Sequence, residues 1–81
     1  PSQLALTAEL RQVMEAAVQE LNPTLRTAFV LRDIQGLSTQ EAAAALEISE
    51  SALKVRLHRA RLQLRESLAA YLAGNEDEMR L

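Results

Sequence analysis

Across residues 7–21 the apolar positions fall at Leu10, Val13, Met14, Ala17, Val18 and Leu21, the i, i+3, i+4, i+7 spacing of one helical face. A first helix is predicted there. Asn22 followed by Pro23 reads as an N-cap with proline at the first helical position, where its missing N–H costs nothing. The second helix should run to about residue 34 and stop at Gly36, a residue suited to the position just past a helix. Its apolar residues make two sides, with Leu25, Ala28 and Phe29 on one and Val30, Leu31 and Ile34 on the other. Such a helix is either enclosed by the domain or offers a side to a partner, which makes Phe29, Val30, Leu31 and Ile34 the candidate partner-binding residues.

Ser38, Thr39, Gln40 and Glu41 spell a capping box, in which the serine hydroxyl accepts from the Glu41 N–H and the glutamate carboxylate reaches back. The third helix is therefore short, residues 39–46, and its four successive alanines from 42 to 45 let another helix come close. Glu47, Ile48 and Ser49 interrupt it, and Ser49 can cap the next. From Glu50 to about residue 72 the apolar set is Leu53, Leu57, Ala60, Leu64, Leu68 and Tyr71, a narrow arc at 100° per residue. Gly74, Asn75 and the acids behind them should end this helix in a frayed tail. The expected organisation is a linker remnant at residues 1–6, a helical domain at 7–72 and an acidic tail at 73–81. A start at Pro1 rather than Met suggests a piece of something longer.

Composition narrows the class. Leu and Ala supply 29 of the 39 apolar residues, against six Val or Ile, which is helix-forming chemistry. With one Phe, one Tyr and no Trp the core must be aliphatic. Eighty-one residues allow one small domain and no second lobe for an enzyme cleft. Without cysteine, and with a single histidine, disulfides, thiolate zinc sites and histidine metal cages are excluded. No nucleophile–base pair or Gly-rich phosphate loop is present either, so no enzyme, cofactor or small-molecule substrate is expected. No apolar run approaches the roughly 18 residues of a membrane span, and no signal pattern opens the chain. The expected location is the cytoplasm.

Net charge is −2, which taken alone argues against a polyanionic partner. The distribution argues otherwise. Residues 1–49 carry −3, residues 67–81 carry −2, and residues 50–66 carry +3 from Lys54, Arg56, Arg59, Arg61 and Arg65. Encounter with an anion follows the local field more than the total. A solvated basic face is the plainer reading of such a cluster.

Two short helices joined by a three- to four-residue turn, small residues in the first and a basic second, describe a helix-turn-helix. Ala43 is small enough to let the helices cross closely, and Leu46, Ile48 and Leu53 form a wedge that fixes the angle. With Leu53, Leu57, Ala60 and Leu64 buried, Ser51, Val55, His58 and Arg59 lie on the far side. Lys54 and Arg61 then lie on one shoulder and Arg56 on the other. The leading half of the fourth helix is left to enter a major groove.

Residues 21–68 resemble region 4 of bacterial RNA polymerase sigma factors, in the extracytoplasmic-function (ECF) branch. The resemblance is carried by Leu21-Asn22-Pro23, Arg32, Gly36-Leu37-Ser38, Ile48-Ser49, Leu53-Lys54 and above all Arg56-Leu57-His58-Arg59-Ala60-Arg61. It implies an all-α, four-helix helix-turn-helix domain, winged-helix-like but without a sheet. It also implies recognition of the minus-35 promoter element through the fourth helix, docking on the polymerase beta-flap, and masking by an anti-sigma factor. Glu47 departs from the pattern, because it stands where the family usually has glycine at a turn that often needs positive φ. A slightly re-formed turn is the expectation. The family's minus-10-binding domain lies outside this chain.

On that frame Glu50 and Ser51 lie in the first turn of the reading helix. The glutamate can accept from a cytosine amine, or merely complement the helix dipole. Lys54 and Arg59 suit guanine or phosphate, and Val55 suits a thymine methyl. His58 is groove-facing or solvated: seven residues from Ser51, or roughly 10 Å along the axis, it cannot form a catalytic pair with it. Thr39 and Gln40 open a helix whose N–H groups favour a phosphate. Arg56 and Arg61 either clamp phosphates or pair with acids of the first two helices, and the acids at 76–78 either are solvated or reach back to the basic helix. Two rivals remain: a response-regulator-type helix-turn-helix output domain, and a helical protein–protein interaction domain. The Arg-Leu-His-Arg-Ala-Arg run and the cap before the second helix favour sigma over the first rival.

Overall fold

The computed structural model describes the backbone of residues 2–79 and the side chains of residues 7–74. Among these residues four helices follow in order: α1, Ser2–Glu20; α2, Pro23–Phe29, continued by one π-helical turn over Val30–Ile34; α3, Thr39–Leu46; and α4, Glu50–Met79. No strand occurs among the described residues. α4 is the spine. At 30 residues and 1.5 Å per residue it sets the long dimension of a 50 × 21 × 16 Å body, and α1, α2 and α3 all pack against it.

The corners form as their sequence dictates. Asn22, with extended backbone, accepts the Leu25 N–H at 2.9 Å, and Pro23 opens α2 behind it. Arg26 donates from Nη1 to the Gln19 carbonyl at 3.1 Å and to its side-chain oxygen at 3.3 Å, which ties α2 back to the end of α1. At the other end the Gln35 N–H reaches the Val30 carbonyl and the Leu37 N–H the Leu31 carbonyl, a closure made possible by Gly36 at φ 79°. Both halves of the Ser38–Glu41 capping box are present, at 3.0 and 2.8 Å.

The α3–α4 turn keeps the geometry that a glycine would favour. Glu47 sits at φ 56° and ψ 43°, its N–H bonded to the Ala44 carbonyl while the Ile48 N–H bonds to that of Ala43. This is the Schellman pattern with a left-handed residue at its corner. The turn is therefore not re-formed around the side chain; the chain accepts the strain instead. Glu47→Gly is expected to stabilise the domain by about 1 kcal/mol and to raise its melting temperature by roughly 4 °C, measured by thermal circular dichroism.

Among the described residues eleven apolar side chains are buried, in two clusters. Ala17, Val18, Leu21, Leu25, Ala60 and Leu64 join α1 and α2 to the middle of α4. Ala28, Ala42, Ala43, Leu53 and Leu57 join α2 and α3 to its leading half. Five of the eleven are alanines, so the helices approach closely and little bulk is needed between them. The predicted wedge is in place, with Leu46 and Ile48 packed beside Leu53 and Ala43.

Helix lengths differ from expectation at two ends. α1 begins at Ser2, inside the stretch read as a linker, because Leu4, Ala5, Leu6 and Ala8 are strong helix formers. α4 runs on to Met79 rather than ending near 72: no proline stops it, and cooperative propagation absorbs the roughly 1 kcal/mol penalty of Gly74. Leu68 and Tyr71, read as part of the buried arc, are only half-buried. The Tyr71 hydroxyl donates to Glu9 of α1 at 2.9 Å. The side chains of the acids at 76–78 lie outside the described residues.

Candidate nucleic-acid interface

Ser49 starts α4 by accepting the Ala52 N–H at 3.0 Å, and the buried pair Leu53 and Leu57 turns the helix so that its opposite face looks outward. Glu50, Ser51, Lys54, Val55, His58 and Arg59 are all exposed, and Arg56 is half-buried. Val55, at 49% exposure, is an apolar tip on this polar surface. From α3, Thr39 is half-buried and Gln40 exposed, in the first turn of a helix whose Ser38 and Glu41 amides are already taken by the capping box.

One side of α4 gathers its cations into a cleft. Lys54, His58, Arg61 and Arg65 line this cleft with Arg32 and Thr39. Arg56 and Arg59 do not line it. Two cations of the cleft, Arg32 and Arg65, were not among the candidate DNA contacts. Helical arithmetic finds Arg65, four residues past Arg61 and eleven past Lys54; Arg32 comes from a different helix, and only the fold brings it here.

Arg61 adopts the second of its two readings. Its guanidinium meets Asp33 of the π turn in a two-pronged bond, Nε to Oδ2 at 2.8 Å and Nη2 to Oδ1 at 2.6 Å. These bonds hold the Asp33 carboxyl below its ordinary range against a smaller push upward from burial, and the charges of Arg61 and Arg32 add to the lowering. The same contact raises the guanidinium's affinity for its proton. No other ion pair occurs among the described residues.

The four candidate partner-binding residues separate. Phe29, Val30 and Ile34 line a groove against Arg11, Met14, Glu15, Val18 and Gln19 of α1, and Ile34 is 61% exposed there. Leu31 instead packs with the second core cluster. The π turn is the reason: bonding i to i+5 puts more residues into each turn, so the side-chain phase drifts from the 100° step used to sort the two sides. Phe29, assigned with Ala28, joins the first cluster instead.

Residues 11–64, which contain this groove and all of the cleft but Arg65, match the family Sigma-70, region 4. The chain belongs to that family. It is 39% identical over 71 residues to the ECF RNA polymerase sigma factor SigE of Mycolicibacterium smegmatis, covering 88% of this chain and 28% of the relative. It is 38% identical over 61 residues to the ECF RNA polymerase sigma-E factor of Escherichia coli K12 and to that of Salmonella typhimurium LT2, covering 75% of this chain and 32% of each relative. The chain thus spans about a third of these relatives or less. No helix among the described residues is long and apolar enough to cross a membrane.

Proposed function

We propose that this sigma region 4 domain recognises promoter duplex DNA at the minus-35 element, as the part of an ECF sigma factor that directs RNA polymerase to initiate transcription. Its contribution is binding, not catalysis. The observation that carries the reading is the leading half of α4. Leu53 and Leu57 anchor it to the domain while Glu50, Ser51, Lys54, Val55, His58 and Arg59 all stay exposed on an element narrow enough for a major groove. Glu50 and Ser51 address base edges, Val55 a thymine methyl and Lys54 a guanine. Arg56, Arg59, Arg32, Arg65 and the first turn of α3 at Thr39 and Gln40 address phosphates.

A second surface supports the polymerase contact. The groove holding Phe29, Val30 and Ile34 is apolar in its lining, lies away from the cation cleft and leaves Ile34 largely uncovered, so it suits an apolar element of the beta-flap or of an anti-sigma factor while α4 is on DNA. An amide-shift map with promoter duplex tests the assignment: perturbations should cluster on residues 50–59, and perturbations confined to residues 24–34 would make the domain a protein-binding module only. Lys54→Ala is expected to change which promoter is preferred as well as affinity. Arg56→Ala should weaken all duplexes about equally, by roughly 3- to 10-fold. Equal losses without a change of preference in either variant would undo the division between base and phosphate contacts.

A further inference from the structure

An anion of the protein's own holds one of the cations that line the cleft. Arg32, Lys54, Arg61, Arg65 and His58 converge from the π turn and α4, and Asp33, beside Arg32 on the same turn, engages Arg61 through both carboxylate oxygens. A carboxylate bound two-pronged to a guanidinium presents the same geometry as two phosphate oxygens on that guanidinium. The pair is not enclosed: the Arg61 and Asp33 side chains are 49% and 24% exposed. An ion pair so placed adds little to stability, yet it decides how many charges the cleft can offer to DNA.

We propose that Asp33 is a built-in counter-anion of the DNA-binding face, occupying Arg61 in place of a backbone phosphate and so limiting affinity for duplexes of any sequence. Phosphate contacts carry no sequence information, whereas contacts to base edges do. Withdrawing one cation from phosphate therefore weakens binding to all duplexes by a similar factor and leaves discrimination to Glu50, Ser51, Lys54 and Val55. The π turn is the structural means, because it carries Arg32 and Asp33 to the end of α2 that faces Arg61.

This inference rests on the DNA-binding reading, and one set of titrations separates their failures. Binding of the 81-residue chain, Asp33→Asn and Arg61→Gln to a random-sequence duplex is measured by fluorescence anisotropy at several salt concentrations. Each phosphate neutralised adds about 0.9 to the magnitude of the log–log salt slope. Asp33→Asn should steepen the slope by about that amount and tighten binding several-fold at low salt. Arg61→Gln should keep the wild-type slope, since its charge is already engaged. A steep wild-type slope that Asp33→Asn leaves unchanged, or that Arg61→Gln makes shallower by about 0.9, overturns the proposal and leaves the DNA reading intact. A flat wild-type slope overturns both. Should Asp33→Asn not fold, the Arg61→Gln slope alone decides, in the same two directions. A purely structural pair would alter melting temperature without altering either slope.

Discussion

Leu53→Ala is expected to destabilise the domain by about 3 kcal/mol, measured as a lower midpoint in urea unfolding followed by circular dichroism. Leu53 is, among the described residues, the largest side chain with no exposure at all. It stands where α2, α3 and α4 meet, and three of its four buried cluster partners, Ala28, Ala42 and Ala43, are methyl-sized, Leu57 being the fourth. The alanines cannot reach into the space that truncation leaves, and a cavity whose walls do not collapse carries the larger penalty. A domain of this size has roughly 4–12 kcal/mol in hand, so the loss is a large share and should lower the melting temperature by more than 10 °C. Leu62→Ala, on the outward side of the same helix at 44% exposure, should stay within about 0.5 kcal/mol of wild type. A cost for Leu53→Ala under 1 kcal/mol would mean that α3 moves in to close the gap, and that the wedge does not fix the crossing of the two helices.

That wedge was legible in the sequence because its determinants are local. Small residues in α3, a branched residue after the turn and leucines four apart in α4 each follow from helical spacing, as do the caps at Asn22, Ser38 and Ser49. The corner at Glu47 went the other way: its side chain argues for a slightly re-formed turn, yet the closure of the helix end keeps the left-handed geometry. What could not be read was phase beyond an irregular turn. The π turn rotated Leu31 away from Val30 and Ile34 and carried Arg32 and Asp33 toward α4, so a partner set sorted at 100° per residue came apart. Pairings across long separations were hidden for a different reason. Asp33 and Arg61 are 28 residues apart and Glu9 and Tyr71 are 62 apart, and no periodicity within one helix constrains them. Sequence reading offered Arg61 two roles; only the packing of α2 on α4 chose between them.

Binding to duplex DNA is expected to weaken by roughly 150-fold when salt rises from about 50 to about 200 mM. Five cations on α4 and the π turn, Arg32, Lys54, Arg56, Arg59 and Arg65, have no ion-pair partner among the described residues, and Arg61 is set aside by Asp33. Lys54 is assigned to a base; if each of the other four neutralises one phosphate, the log–log slope is about −3.6, and a fourfold change in salt gives the stated loss. A protein of net charge −2 would show no such steepness if its average charge governed association. The measurement therefore tests whether the local cluster does. Titration by anisotropy at four or five salt concentrations gives the slope directly. A magnitude below about 2 would mean that most of these cations face solvent in the complex and that α4 does not lie in a groove with phosphates on both sides. A magnitude near about 3.6 that falls by about one in Arg65→Gln, but not in Arg61→Gln, would assign the charge to individual side chains.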